Sequence, residues 1–158
     1  MKEITYLSWS DIQEACGVLS KQLQQTNCKF NAIVCIQRGG CIPGVILSHL
    51  LQIPEFYSIG IRTTLFEEIK SIRLNKPSIL NIEILEKIRN KNILVVDDVT
   101  NTGKTLQIAK EEVLRFEPSL CKTAVLIWDG DNSNSCEANY YAKYTPSWVV
   151  FPWEDSEK

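Results

Sequence analysis

Two adjacent carboxylates, Asp97 and Asp98, close an apolar run, and after Val99 comes a threonine-rich stretch with one glycine, Thr100-Asn101-Thr102-Gly103-Lys104-Thr105. Carboxylates accept hydrogen bonds and repel other anions. A glycine-bearing turn that opens a helix does the reverse, because its unpaired N–H groups and partial positive charge suit a phosphate. Acids and an anion seat can share one short stretch only if the acids face something else. Sugar hydroxyls and a magnesium ion are the two candidates, so the stretch asks for a phosphorylated sugar. It is not a Walker loop, since that pattern requires glycine where Asp98 stands. A buried strand ending in Asp before a capped helix is the plainer reading, but it does not account for the double acid and the Thr-x-Gly-x-Thr spacing together.

A second stretch repeats the logic. Asn31–Ile36 is a β-rich run that breaks at Gln37-Arg38-Gly39-Gly40, and a helical pattern then runs from Ile42 to Gln52. Paired glycines let a backbone approach a ligand closely, and Arg38 brings a fixed positive charge. Taken alone the Arg-Gly-Gly triplet reads as a plain turn; one strand-helix unit before the acid pair, it reads as a second anion site. Between them, Arg62 to about Leu80 loses its periodicity while Arg62, Lys70, Arg73 and Lys76 are scattered through it. So long a stretch without clear structure is either a solvated loop or a basic lid that excludes water from a reactive sugar cation. The tail Tyr140–Glu154 is unusually aromatic. Its rings either close the core, form a dimer contact, or give a planar heterocycle a face to stack on.

These residues need a scaffold that brings strand ends together. Ile93–Val96 has no polar alternation, as expected of a strand covered on both faces, and Cys121–Trp128 reads the same way. Pro54–Ile61 adds a third strand, and Leu85–Asn92 reads as a short polar lead-in to the central one. Ser8 to about Asn27 predicts a helix: Ser8 caps it, Asp11 follows three residues later, and Ile12, Ala15, Cys16, Leu19 and Leu23 share a face. Another helix is predicted over Lys104–Phe116, ending before Pro118. Five or so strands alternating with helices predict a doubly wound α/β fold with a mainly parallel sheet flanked by helices. With 158 residues the chain suits one domain, 1–158.

Composition narrows the function. A net charge of −2 without a basic run argues against a nucleic-acid surface. There is no signal-peptide core and no run of eighteen apolar residues, so a soluble, cytoplasmic protein without membrane partners is expected. The cysteines Cys16, Cys28, Cys35, Cys41, Cys121 and Cys136 form no C-x-x-C pair, and His49 is the single histidine. Reduced, mostly buried thiols are therefore expected rather than a zinc site, with His49 structural.

The acid pair, Thr-rich loop, glycine and threonine together resemble the signature of the type I phosphoribosyltransferases, which bind phosphoribosyl pyrophosphate. In the purine-salvage branch, Arg38-Gly39-Gly40-x-x-Pro43-Gly44 resembles the pyrophosphate segment. Ser147-Trp148-Val149-Val150-Phe151-Pro152-Trp153-Glu154 resembles the C-terminal signature of short xanthine/guanine/hypoxanthine phosphoribosyltransferases of bacteria and archaea. The resemblance spans Asn31–Glu154, with the motifs in order. It implies ribose binding by Asp97 and Asp98, 5′-phosphate binding by Thr100 to Thr105, and pyrophosphate binding by Arg38, Gly39 and Gly40. It also implies base binding by Trp148 and the Val149 backbone within a C-terminal segment of about 128–154, part of a small hood. Mg²⁺ would be held by Asp97 and Asp98 indirectly, through ligand or water. The region about 62–80 would be a flexible catalytic loop, and the peptide near Gln37-Arg38 strained, with the cis form among its options. The implied partners are phosphoribosyl pyrophosphate and a nucleobase, and a homo-oligomer is expected.

Two positions depart from the family pattern. Asn101 stands where purine enzymes carry an Asp that assists the purine N7 proton, and an amide does not take a proton near neutral pH. A positioned general base contributes about 10² to 10⁴ in rate, so its loss slows the reaction without abolishing it. Trp128-Asp129-Gly130-Asp131 stands where the family places a lysine that reads a 6-oxo group; an ionised acid there accepts from an amino group instead. Two functions remain in view: transfer of phosphoribosyl to a nucleobase, and a weakly catalytic sensor that binds phosphoribosyl pyrophosphate or a nucleotide.

Overall fold

A computed structural model describes residues 3–67, 70–130 and 138–154. Its main sheet has six strands in the order β4-β3-β2-β5-β6-β7. These are β2 (Ala32–Gln37), β3 (Glu55–Glu67), β4 (Lys70–Leu80), β5 (Asn92–Thr100), β6 (Leu120–Trp128) and β7 (Tyr140–Tyr144). All neighbours run parallel except β3 and β4. The expected parallel α/β sheet flanked by helices is therefore present.

The apolar runs work because a strand sends successive side chains to opposite faces. Leu94 and Val96 join Ile33 and Cys35 beneath α1 (Trp9–Gln24) and α2 (Cys41–Leu50), with Ile12, Cys16, Leu19 and Leu47 from the helices. Ile93 and Val95 join Ala32, Val34 and Val125 on the other face, under α3 (Lys104–Leu114) through Leu106, Ala109 and Val113. The α1 start follows the sequence reading closely: Ser8 is the N-cap and forms a capping box with Asp11.

Chain order reverses beside the centre. From β2 the chain goes to β3 on one side and later to β5 on the other, with Cys35 opposite Val96. In open α/β sheets that switch point is where ligands bind, at the carboxyl ends of the strands. The turn after β2 carries Arg38 and the end of β5 carries the two acids, so the topology brings both chemical stretches together.

Several expectations need correcting. The stretch 62–80 is not structureless: β3 and β4 form a long antiparallel ribbon through it, with an irregularity between Arg62 and Thr64. Pro77 lies in β4, an edge strand of the sheet, where proline is tolerated, and it masked the strand pattern. The basic lid expected there falls on the side chains of residues 63–76 and on Glu68 and Ile69, which lie outside the described residues. The first half of the supposed polar lead-in belongs to a 3-10 helix, Ile82–Ile88, whose Leu85 and Ile88 are fully buried. The β5 strand continues through Asp97 and Asp98 to Thr100, beyond the expected Val96.

The chain ends form a second, two-stranded parallel sheet that the sequence reading missed, β1 (Ile4–Tyr6) with β8 (Trp148–Val150). Three residues each are too short to show a period. Next to it Phe151 is buried and stacks on Trp153, with ring centroids 4.6 Å apart. Among the described residues no helix is long and apolar enough to cross a membrane.

Candidate active site at the switch point

The Gln37-Arg38 peptide is cis, as the family resemblance allowed. Gly39 and Gly40 follow because side chains would not fit. A Cβ on Gly39 would lie 1.7 Å from Asp98 Oδ2, and one on Gly40 would lie 2.6 Å from the Val96 carbonyl oxygen. The glycines thus let the β2 turn press against the end of β5. The Gly40 amide donates to the Ile36 carbonyl at 3.1 Å, so it is already used within the turn.

Arg38, Gly39, Ile42, Asp98, Trp153 and Glu154 line one cavity of about 680 Å³, within the usual range for small-molecule sites. Asp98 comes from β5, Arg38 and Gly39 from the turn into α2, and Trp153 and Glu154 from the tail. The sequence reading did not assign Ile42, Trp153 or Glu154 a role, although Trp153 and Glu154 lay inside a motif it singled out. Glu154 is fixed by the Phe151 amide, which donates to its Oε2 at 3.0 Å.

The two acids are not equivalent. Asp97 is 9% exposed and does not line the cavity, while Asp98 does. Asp97 Oδ1 accepts from the Asp98 amide at 3.0 Å, and Asp98 Oδ1 accepts from the Val99 amide at 2.8 Å. Burial raises the Asp97 pKa well above the ordinary carboxylate value, and the neighbouring Asp98 charge raises it further. Burial raises that of Asp98 as well. Beside them Cys41 opens α2, and a hydrogen bond from Cys35 lowers its thiol to about 7. Cys35 itself moves upward through the same bond and its burial.

Beyond Thr100 the chain bends into α3. Gly103 takes a left-handed φ of 71° as the N-cap of α3, a conformation that favours glycine. Neither α3 nor α2 has a side-chain cap, unlike α1. Among the described residues, the amides of 102–105 make no hydrogen bond within the protein, so the donors expected to seat a phosphate remain available. Thr100 and Gly103 are buried, Thr105 is half-buried, and Asn101, Thr102 and Lys104 are exposed. Asn101 Nδ2 donates to Asp129 Oδ1 at 2.7 Å and approaches the Asp129 carbonyl oxygen at 3.3 Å. The two positions that depart from the family pattern are therefore bonded to each other.

Trp148 does not join the cavity wall. It lies on β8 with 58% of its surface exposed, while Val149 is buried. The structure thus gathers Arg38, Gly39 and Asp98 directly, keeps Asp97 and Gly40 behind them, and leaves Trp148 as an open ring face.

A family model described as phosphoribosyl transferase domain matches residues 5–156. A xanthine-guanine phosphoribosyltransferase from Cereibacter sphaeroides is 24% identical over 154 residues, covering 94% of this chain and 86% of that protein. The bifunctional protein PyrR of Clostridium acetobutylicum is 32% identical over 85 residues, 53% of this chain and 48% of that one. Among solved structures, the purine phosphoribosyltransferase from Pyrococcus horikoshii is 30% identical, with a TM-score of 0.80, over 98% of this chain and 97% of that one.

Proposed function

The chain belongs to the type I phosphoribosyltransferase family, and we propose that it transfers phosphoribosyl from phosphoribosyl pyrophosphate to a purine-type nucleobase in salvage. The observation that carries this reading is the cavity at the switch point, where Asp98 faces Arg38 and Gly39 beside the uncapped start of α2. In the reaction the bond from the anomeric carbon to pyrophosphate breaks, a bond to a base nitrogen forms, and the base loses a proton.

Each group has a role set by its chemistry. Asp98, with Asp97 behind it, accepts from the ribose hydroxyls. The amides and hydroxyls of Thr100 to Thr105, with Lys104, receive the 5′-phosphate. Arg38 and Gly39 hold pyrophosphate, with Gly40 allowing the close approach. Trp148 offers a stacking face to the base, and the Val149 backbone reads its edge.

Two cavity carboxylates, Asp98 and Glu154, are too few for an all-protein metal cage. They would suit Mg²⁺ carried chiefly by phosphate oxygens and water, which Asp97 and Asp98 would hold indirectly, through ligand or water. When bound, that ion would neutralise charge on the leaving group. On this reading the protein is a cytoplasmic homo-oligomer acting on small molecules, without nucleic-acid partners.

Pyrophosphate release across a panel of nucleobases tests the proposal, and absence of turnover with every base overturns it. The bond that occupies Asn101 favours a second reading, a phosphoribosyl pyrophosphate or nucleotide sensor of weak activity. Tight ligand binding without turnover, and no gain of activity in Asn101→Asp, would select that one.

A further inference from the structure

An amide side chain has a donor end and an acceptor end, and its neighbours decide which one a ligand meets. Asn101 has its Nδ2 committed to Asp129, at 2.7 Å to the carboxylate and 3.3 Å to the carbonyl oxygen. Both partners are acceptors, so they settle the orientation. The Asn101 Oδ1 is therefore the end turned away from Asp129. Asp129 is itself held firmly: it is 5% exposed, and its amide donates to the Thr100 carbonyl at 3.0 Å. Asn101, in contrast, is exposed at the mouth of the loop.

Ribose stereochemistry says what arrives there. In a nucleoside monophosphate, the 5′-carbon and the base leave the same face of the furanose. A phosphate seated on the turn after β5 therefore brings the base back over that turn, and Asn101 is its first residue after the strand.

Resting on the proposed phosphoribosyl transfer to a purine, we infer that Asp129 is a positioning residue that makes Asn101 an acceptor-only contact for the base. The contact selects a base that presents a ring N–H hydrogen at this point. An entering purine in its N7–H form donates to Oδ1, and its N9 keeps the lone pair that attacks the anomeric carbon. After transfer, with the N7 proton passed to water or to the departing pyrophosphate, a nitrogen lone pair faces the Oδ1 lone pairs. The pair therefore favours the entering base over the finished nucleotide, without itself accepting a proton.

The test compares guanosine and inosine monophosphates with their 7-deaza counterparts, in which a C–H replaces the N7 lone pair, by calorimetric titration of the intact protein. The inference expects the 7-deaza nucleotides to bind about tenfold more tightly, the factor that one hydrogen-bond-sized difference gives. Asp129→Ala leaves only the long bond to the backbone carbonyl, and the ratio should fall to within about twofold of one. Asn101→Ala removes the contact and should do the same, which keeps the test intact if the Asp129 variant does not fold. Tighter binding of the parent nucleotides to the unaltered protein overturns the inference, as does a ratio unmoved by either substitution. Phosphoribosyl pyrophosphate is titrated alongside. If it binds while no purine nucleotide does, the inference falls and the family reading stands; if it does not bind, the proposed function falls first.

Discussion

Asp97 and Asp98 are neighbours in sequence but unequal in chemistry. One is buried behind the cavity and the other lines it. Asp98→Asn keeps the shape but removes a charged acceptor for a sugar hydroxyl. Hydrogen bonds to charged groups are worth about 1.5–3 kcal/mol, so binding of phosphoribosyl pyrophosphate should weaken by roughly 10- to 100-fold in calorimetry. Asp97→Asn should act in the opposite direction on the ligand-free protein. Burial and the Asp98 charge disfavour the ionised Asp97, and an amide relieves both. Its melting temperature should rise, by about 2–4 °C for each kcal/mol gained in a domain of this size, while ligand binding weakens. Cys41 offers a third check at this scale. Its thiol, lowered to about 7 by the hydrogen bond from Cys35, should be alkylated by iodoacetamide at a rate that climbs through neutral pH. Cys16, raised by burial to about 11, should stay unreactive in the folded protein, and peptide mapping distinguishes the two.

At the scale of elements, helix starts divide by use. The α1 start is closed by Ser8 and Asp11, whereas α2 and α3 begin at glycines without a side-chain cap. Ser8→Ala should cost about 1 kcal/mol in urea unfolding and leave turnover unchanged. Gly40→Ala should cost about 1–3 kcal/mol and also impair turnover, because the new methyl meets the Val96 carbonyl and pushes the Arg38 turn off β5. What was legible beforehand follows the same division. The capping pair, the unbroken apolar strands and the acid-loop order are local features with local causes, and they gave α1, the central strands and the switch-point site. The β1–β8 pairing joins Ile4 to Trp148 across the whole chain, so no local pattern announces it. The β3–β4 ribbon was hidden by Pro77 and by its register irregularity. Whether Asn101 offers a donor or an acceptor was equally out of reach, since Asp129 lies on a different strand end and only folding brings the two into contact.

Across the whole molecule, the buried acid pair couples ligand binding to pH. Asp97 and Asp98 both have folded pKa values raised above the ordinary 3.8, chiefly by burial. The ligand-free folded state therefore keeps protons that the unfolded chain has already lost, and this contribution to stability falls as pH rises from about 3.8 toward the raised values. Asp11 and Glu55, lowered by hydrogen bonds from Ser8 and Lys91, have the opposite sign: their contribution is present above the unfolded carboxylate value and is lost on acidification. Sugar hydroxyls and a phosphate-borne cation favour the ionised acid pair, so binding drives protons off it. Affinity for phosphoribosyl pyrophosphate should accordingly increase with pH across the acid pair's window and level off above it. In thermal melts the ligand-induced rise in melting temperature should widen over the same range. Calorimetry in buffers of different ionisation enthalpy should show proton release on binding. Asp97→Asn should reduce both effects, whereas an unchanged proton count in that variant would place the linkage elsewhere in the molecule.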